Sequence, residues 1–192
     1  MKTVILYGSP RENGYTSRLV SSFCSAMPED TPIRSFSAYE LHVDPCCSCG
    51  FCEENWGCTH SDMEEIIDAL LECDLLIIAS PVYHLSFPAP LKAIFDRTQQ
   101  CFCAYRHGRS PFADKQRQAV VLLTAGAPSE TGEIIRRQLK WLLPPLNALL
   151  SGMVVCANTD REGITRDAID HAIALAESLF GTAGANEDDE QE

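Results

Sequence analysis

The chain has 192 residues, of which 45% are hydrophobic, and a formal net charge of −12. This length and composition predict a soluble, cytoplasmic protein with one sizeable core, since no apolar run approaches the roughly 18–20 residues that cross a membrane. So acidic a chain repels phosphate backbones, which argues against a nucleic acid partner, and its field disfavours a nucleotide at long range.

The first predicted elements are a buried parallel strand over residues 2–8 and a helix over residues 15–27. The loop between them carries hydrogen-bond donors and one positive charge, at Ser9, Asn13, Thr16, Ser17 and Arg11. Together with the free N–H groups of a helix start, these side chains suit a phosphate group. The loop matches neither the Walker A motif nor G-x-G-x-x-G, and a polar turn that ends in a helix cap is the alternative interpretation.

A cysteine-rich stretch at 44–60 follows a weaker predicted strand at 32–38 and has no helical or strand period of its own. Four of its cysteines have the spacing C-x2-C-x2-C-x5-C: Cys46, Cys49, Cys52 and Cys58. Thiols at i, i+3 and i+6 cannot all pair as disulfides without strain, but they can converge on a soft metal or an iron–sulfur cluster. Clustered cysteines in a cytoplasmic protein are more often metal-binding or catalytic than disulfide-bonded.

The rest of the chain continues the alternation of strands and helices. Helices are predicted at 63–72, 91–100, from Glu130 onward and at 165–180, and strands at 74–80, 118–123 and 153–157. Pro144 and Pro145 must interrupt the helix that begins at Glu130. The alternation of five strands with helices predicts an open parallel α/β sheet. The loops after its first, third and fourth strands then lie along one carboxyl edge, where ligands bind.

Several loops resemble those of the NAD(P)H-dependent FMN reductase group of the flavodoxin-like superfamily. Residues 8–17 resemble its phosphate loop, Ser80-Pro81-Val82-Tyr83 its S-P-x-Y loop beside the isoalloxazine ring, and Thr124-Ala125-Gly126 its third flavin loop. Residues 91–97 resemble the L-K-x-x-x-D-R helix of the group. The resemblance implies a three-layer sandwich with a five-stranded parallel sheet of order 2-1-3-4-5 and helices on both faces. The FMN contacts that it implies are Ser9, Arg11, Asn13, Gly14, Thr16, Ser17, Pro81, Val82, Tyr83, Thr124, Ala125 and Gly126.

The cysteine spacing is similar to that of the iron–sulfur flavoproteins, a branch of the same group. This resemblance implies that Cys46, Cys49, Cys52 and Cys58 hold one 4Fe–4S cluster near the flavin. Cys47 departs from the pattern and is either a bystander or an alternative ligand. Uncoordinated or redox-active thiols and structural zinc are the other interpretations, although zinc usually takes paired C-x2-C units separated by a longer span.

The resemblance implies an oxidoreductase in which FMN accepts electrons from NAD(P)H or a ferredoxin-like partner and passes them to a quinone, flavin or protein acceptor. Because the flavin N5 carries the chemistry, no catalytic side chain is predicted. A homodimer or homotetramer is implied in the same way. The alternatives are a flavodoxin-like electron carrier without a substrate of its own, a flavoprotein with redox or zinc-binding thiols and no cluster, and a metal-stabilised scaffold that has lost its flavin.

Four residues near these motifs have ordinary structural interpretations. Asp96 and Arg97 are expected to make a surface or subunit contact. Tyr83 is expected to pack over the flavin edge, and His84 to be a solvated loop histidine rather than a proton donor.

The remaining cysteines and the domain limits complete the predictions. Cys24 and Cys73 are expected in the core, whereas the function of Cys101 and Cys103 is left open, with metal binding as one hypothesis. Residues 1–184 are expected to form a single domain with the cysteine stretch as an insertion. The acidic residues 185–192 are expected to be a disordered tail.

Overall fold

The computed structural model describes residues 1–128 and 130–181, so the predicted tail and the last residues of the predicted domain lie outside the described residues. The strands are β1 (Thr3–Tyr7), β2 (Ile33–Ser37), β3 (Leu75–Pro81), β4 (Arg117–Thr124) and β5 (Ala148–Cys156). The helices are α1 (Tyr15–Cys24), α2 (Phe51–Glu54), α3 (Glu64–Glu72), α4 (Ala89–Arg97), α5 (Gln99–Arg106), α6 (Glu130–Leu142), α7 (Thr159–Glu162) and α8 (Arg166–Gly181). No helix in the described ranges is long and apolar enough to span a membrane.

The five strands form one parallel sheet in the order β2-β1-β3-β4-β5, which confirms the predicted fold. Alternate residues of β3 enter two different cores: Leu76 and Ile78 pack on one face with α3 to α6, while Leu75 and Ile77 pack on the other with α1 and α8. Burial on both faces explains why this strand is a continuous apolar run. In the sheet, β1 lies between β2 on one side and β3 on the other, so the connections from β1 to β2 and from β2 to β3 run in opposite directions across the sheet. The carboxyl ends of β1 and β3 therefore flank the topological switch point, where open α/β sheets bind ligands.

Two predicted elements differ from the structure. The helix predicted over 91–100 is divided between α4 and α5, and α5 continues to Arg106 because its inner face, which includes Cys101 and Cys103, packs in the interior. The last strand begins at Ala148 rather than at residue 153. Its first half is partly exposed, and its register with β4 shifts between Ala119 and Val120, so the apolar alternation is broken there.

The cysteine stretch and the double proline each contain a short helix. The stretch contains one helical turn, α2, which the sequence period did not predict because four residues are too few to show one. The prolines form a short 3-10 helix, Pro144–Leu146, directly after α6, which confirms the predicted interruption. Cys73 is buried as expected, and Cys24 is half-buried against the core between α1 and α8.

Candidate functional site

The loops that follow β1, β3 and β4 meet at the carboxyl edge of the sheet around a cavity of about 140 Å³. Nine of the predicted contact residues line it: Ser9, Arg11, Gly14, Thr16, Pro81, Val82, Tyr83, Thr124 and Gly126. Three further lining residues, Tyr15, Thr159 and Asp160, were not predicted. Thr159 and Asp160 follow β5, whose carboxyl end lies on the same edge of the sheet. Their place directly after a predicted parallel strand could have indicated this position from the sequence.

The first of these loops leaves the start of α1 without a side-chain cap. Gly14 is the N-cap residue, it makes no side-chain cap hydrogen bond, and the first turn contains no acidic residue. The loop itself is held in place, since the Arg11 N–H donates to Ser9 Oγ at 3.2 Å and the Tyr7 hydroxyl donates to the Arg11 carbonyl at 2.9 Å. Uncapped N–H groups at the positive end of a helix suit an anion.

Short hydrogen bonds join the three loops beneath the cavity. The hydroxyl oxygens of Thr16 and Thr124 lie 2.8 Å apart in a buried contact between the first and third loops. The Val82 N–H donates to the Thr124 carbonyl at 2.8 Å and joins the second loop to the third. Few polar partners are available in the interior, so each bond fixes the relative position of two loops.

The second loop ends in a tight turn whose conformation is unusual for its residues. His84 and Leu85 both have positive φ, 49° and 61°, in the left-handed region that favours glycine. Two hydrogen bonds between Tyr83 and Ser86, each 2.9 Å, close the turn. Tyr83 is 43% exposed at the cavity rim, and His84 is exposed to solvent.

Three predicted contact residues lie outside the cavity wall. Asn13 and Ser17 line a neighbouring surface hollow beside Arg18. Ala125 is buried behind the wall, where its N–H donates to the Cys156 carbonyl and its own carbonyl accepts a bond from the Thr159 N–H. In this arrangement, the side chains of these three residues therefore do not contact a ligand in the cavity.

The four predicted metal-binding cysteines lie around a second cavity, of about 350 Å³. Cys46, Cys49, Cys52 and Cys58 all line it, and Cys47 does so as well. The other walls come from α4 and α5, through residues that include Arg97 and Gln99. The cysteine stretch therefore folds back on these helices instead of projecting into solvent.

Arg97 anchors the cysteine stretch, and the expectation of a surface contact was wrong for this residue. Its side chain is 1% exposed and forms a two-pronged ion pair with Asp62, at 2.6 and 3.1 Å. It also donates to the carbonyls of Asp44 and His60, at 2.9 and 3.1 Å. Its buried Nε–H has no hydrogen-bond partner among the described residues. Asp96, by contrast, is half-exposed and pairs with Lys92 one turn away.

The carboxylate of Asp62 serves this anchor rather than a metal. Asp44, His60 and Asp62 have ligand atoms within 4.8 Å of one another, but the two oxygens of Asp62 already accept bonds from Arg97 and from the Asp44 N–H. Burial raises the pKa of Asp62, yet these hydrogen bonds outweigh it and leave the pKa below the ordinary value for an aspartate. The carboxylate is therefore charged, and both of its oxygens are engaged in the anchor.

The thiols of the cysteine stretch differ in their environments. The Phe51 backbone N–H and the Thr59 hydroxyl lower the pKa of the exposed Cys49. Burial and the neighbouring Cys103 raise the pKa of Cys52 to about 12. A metal that binds at Cys52 must displace its proton, because the thiolate is the ligand.

Helix α4 links the two cavities. Its Leu91 packs against Gly8, where a β-carbon would come within 2.5 Å of the leucine side chain, and this contact sets the start of the first loop. Its last residue, Arg97, lines the cysteine cavity. At 1.5 Å per residue, these two positions are about 9 Å apart along the helix. No residue of the described chain lines both cavities.

Comparisons of sequence agree with these features. A sequence profile of the NADPH-dependent FMN reductase family matches residues 1–159. An iron–sulfur flavoprotein from Methanocaldococcus jannaschii is 35% identical over 101 residues, covering 52% of each chain. An iron–sulfur flavoprotein from Archaeoglobus fulgidus is 29% identical over 153 residues, which cover 76% of this chain and 66% of that protein. The chain thus spans between about half and two thirds of the length of these curated relatives.

Comparisons of structure agree as well. The NAD(P)H:quinone oxidoreductase from Methanothermobacter marburgensis superposes with a TM-score of 0.73 at 18% identity, covering 95% of this chain and 96% of that one. An FMN-dependent NADH-azoreductase from Bacillus anthracis, solved in complex with FMN, has a TM-score of 0.66 at 14% identity, covering 93% and 99%. At identities this low, these superpositions show that the fold is shared.

Proposed function

Since the chain belongs to the NADPH-dependent FMN reductase family, we propose that it is an FMN-dependent oxidoreductase that takes electrons from NAD(P)H and passes them to a quinone, flavin or protein acceptor. The observation that carries this proposal is the convergence of three loops on one cavity beside an uncapped helix start. A polar turn that served only as a helix cap would make a side-chain cap hydrogen bond at the start of α1, and Gly14 makes none.

The residues of the first loop fit the phosphate of FMN. The hydroxyls of Ser9 and Thr16, the N–H groups at the start of α1 and the guanidinium of Arg11 together offer donors and positive charge on one side of the cavity. Asn13 and Ser17 are proposed to contribute from the adjoining surface through their position in the same loop.

The second and third loops fit the ring system. Pro81, Val82 and Tyr83 would border the isoalloxazine together with the adjacent Thr124 and Gly126, and the buried Ala125 would support the third loop. Bound FMN would supply the chemistry of hydride acceptance at N5. The protein contributes a rigid frame that orients the ring, because hydrogen bonds fix the three loops to one another.

We also propose that Cys46, Cys49, Cys52 and Cys58 hold an iron–sulfur centre of the 4Fe–4S type, which would supply one-electron transfer. The relatives from Methanocaldococcus jannaschii and Archaeoglobus fulgidus are iron–sulfur flavoproteins, which supports this proposal. So does Arg97, whose positive charge lines the cavity and whose buried Nε–H is left without a partner among the described residues. An anionic thiolate-bound centre beside this group would receive both charge and a hydrogen-bond donor.

The four sulfur atoms, as they lie in this structure, are not gathered around one point as the ligands of a single zinc ion would be. Two thiolates on one tetrahedral zinc ion, with bonds of about 2.3 Å, lie roughly 3.8 Å apart. Within the described ranges, no three of these four sulfur atoms lie within 4.8 Å of one another. A larger group that binds each thiolate at a separate iron does not require the sulfur atoms to meet at one point. A cytoplasmic location, a ferredoxin-like partner and a homodimer or homotetramer belong to the same proposal.

Anaerobic purification followed by absorbance spectra and metal analysis tests the proposal. We expect FMN near one per chain, with iron and sulfide near four per chain as a 4Fe–4S centre requires. A colourless protein that gains no flavin absorbance on addition of FMN would remove the oxidoreductase proposal. One zinc and no iron would remove the cluster alone.

Steady-state oxidation of NAD(P)H with a quinone acceptor then separates an enzyme from an electron carrier. Rapid turnover supports the enzyme. Reduction by ferredoxin without turnover of NAD(P)H would instead identify a flavodoxin-like carrier.

A further inference from the structure

Cys103 is a thiol that the proposed function does not use, and its sulfur atom touches that of Cys52, which the function does use. Cys103 lies on the inner face of α5 and is 1% exposed. Its Sγ lies 3.7 Å from the Sγ of Cys52 on α2. The two residues are 51 positions apart in sequence, so it is the fold that brings these two sulfur atoms into contact.

The two helices that carry these thiols are anchored to each other. The guanidinium of Arg109, just after α5, donates to the carbonyls of three successive residues of α2: Cys52, Glu53 and Glu54. The Gln99 amide, at the start of α5, donates to Cys103 Sγ at 3.5 Å. The sulfur contact therefore joins two fixed segments of the chain.

A covalent bond between the two sulfur atoms requires only a small movement. The sulfur atoms of a disulfide lie about 2.05 Å apart, so the pair at 3.7 Å must approach by roughly 1.7 Å. Rotation about the Cα–Cβ bonds of the two cysteines can supply such a movement while the helices stay in place. Cys52 and Cys103 are thus placed for a disulfide across α2 and α5.

The two thiols differ in their access to solvent. Cys52 is half-buried and lines the cavity of about 350 Å³ that the cysteine stretch surrounds. Cys103 is buried and is not among the residues that line this cavity. An oxidant in solution therefore reaches Cys52 first, and Cys103 is the thiol that stands ready to react with the oxidised sulfur.

We propose that Cys52 and Cys103 form a reversible disulfide in the metal-free chain. The consequence of this bond rests on the proposed function, in which Cys52 is one of four ligands of an iron–sulfur centre. The bond withdraws that thiol, so an oxidised chain lacks one ligand until it is reduced again. Disulfides in reducing compartments are usually transient bonds of this redox-sensing kind.

A small disulfide such as oxidised glutathione can serve as the oxidant. The Cys52 thiolate attacks one sulfur of glutathione disulfide, whose S–S bond breaks and releases one glutathione. The Cys103 sulfur then attacks the Cys52 sulfur of the mixed disulfide and releases the second glutathione. The two cysteines lose two electrons and two protons, which two molecules of reduced glutathione carry away. Burial and Cys103 raise the pKa of Cys52 to about 12, which slows the first attack, so the reaction is followed to equilibrium.

Peptide mapping of the oxidised chain tests the bond directly. The full chain is reduced, freed of metal without oxygen, equilibrated with oxidised glutathione, alkylated and digested without a reductant. We expect most chains to yield a peptide pair joined through Cys52 and Cys103, with the loss of two hydrogen atoms, and excess reduced glutathione to restore both thiols. Free thiols at both residues, or Cys52 joined instead to a cysteine of the stretch at 44–60, would overturn the proposal.

Two variants test the role of Cys103 in the second step. Cys103→Ala removes the attacking sulfur, so Cys52 should keep the glutathione that the wild type releases. Cys101→Ala is the matched control, because Cys101 is also a buried cysteine of α5 but packs in the apolar core, and this variant should form the bond as the wild type does. Release of glutathione from Cys52 in Cys103→Ala would contradict the proposal.

The experiment remains decisive if a buried substitution disturbs the fold. Circular dichroism monitors both variants, and the peptide map of the wild type requires neither of them. The map also requires neither iron nor flavin, so a chain that binds no cluster would still show the bond. Absence of the bond would in turn leave the FMN and iron analyses, which test the proposed function, unchanged.

Discussion

The guanidinium of Arg97 illustrates how one buried side chain can organise an irregular segment. It donates to the carbonyls of Asp44 and His60, at the two ends of the cysteine stretch, and pairs with Asp62 just beyond it. Its charge also lies against the cavity that the cysteines surround. The side chain therefore connects the structure of the segment to the electrostatics of the proposed centre.

Replacement of Arg97 measures the strength of this anchor. We expect Arg97→Met to lower the free energy of unfolding by about 3 kcal/mol, because Asp62 would be left unpaired and two carbonyls would lose their donor. Urea unfolding of the metal-free chain gives the value. The control is Lys92→Met, which removes an exposed ion pair with Asp96 and should cost less than about 1 kcal/mol. Equal losses in the two variants would contradict the anchoring role.

The same ion pair gives a defined dependence of stability on pH. The pKa of Asp62 is lower in the folded chain than its ordinary value, about 3.9 in an unfolded chain, so its stabilisation is complete above that value and is lost as the pH falls through the folded pKa. In Asp62→Asn this contribution should be missing at every pH. We therefore expect the wild type to lose more stability than the variant on acidification below about pH 4. If the urea midpoints of the wild type and of Asp62→Asn changed in parallel from pH 3 to pH 7, this assignment would be refuted.

At the scale of elements, the contact between the loops after β1 and β4 frames the proposed flavin site. Thr16 and Thr124 share a buried hydrogen bond of 2.8 Å. Thr16→Val keeps the shape but leaves the Thr124 hydroxyl unpaired, which should cost about 1–3 kcal/mol and weaken FMN binding. Thr16→Ser keeps the hydroxyl and should retain most of the stability and most of the affinity for FMN. Unfolding and FMN titration of the pair of variants measure the effect, and equal behaviour of valine and serine would show that the bond is unimportant.

The sequence was informative where elements are long or loops are short and polar. The strand order follows from the motifs of the family, and the apolar run of β3 and the donors around Ser9 could be recognised directly. The burial of Arg97, the contact of Cys52 with Cys103 and the turn of α2 could not. Each depends on pairing between segments that are distant in sequence, and local periodicity carries no information about such contacts.

At the scale of the whole molecule, the charge of −12 opposes the binding of any phosphate. Local groups must therefore overcome the overall field at the carboxyl edge of the sheet. The uncapped start of α1 and the guanidinium of Arg11 are the groups of the described chain that the proposal assigns to this task. In the proposal they bind the phosphate of FMN, and the other two loops contact the rest of the flavin.

Comparison of the affinities for FMN and riboflavin tests this central claim most directly, because the two flavins differ only in the phosphate. At least two charge-assisted hydrogen bonds, worth about 1.5–3 kcal/mol each, should favour FMN by roughly 100-fold or more, measured by quenching of flavin fluorescence. The preference should shrink in Ser9→Ala and Arg11→Gln. Equal affinity for the two flavins, or no binding of either, would contradict the account.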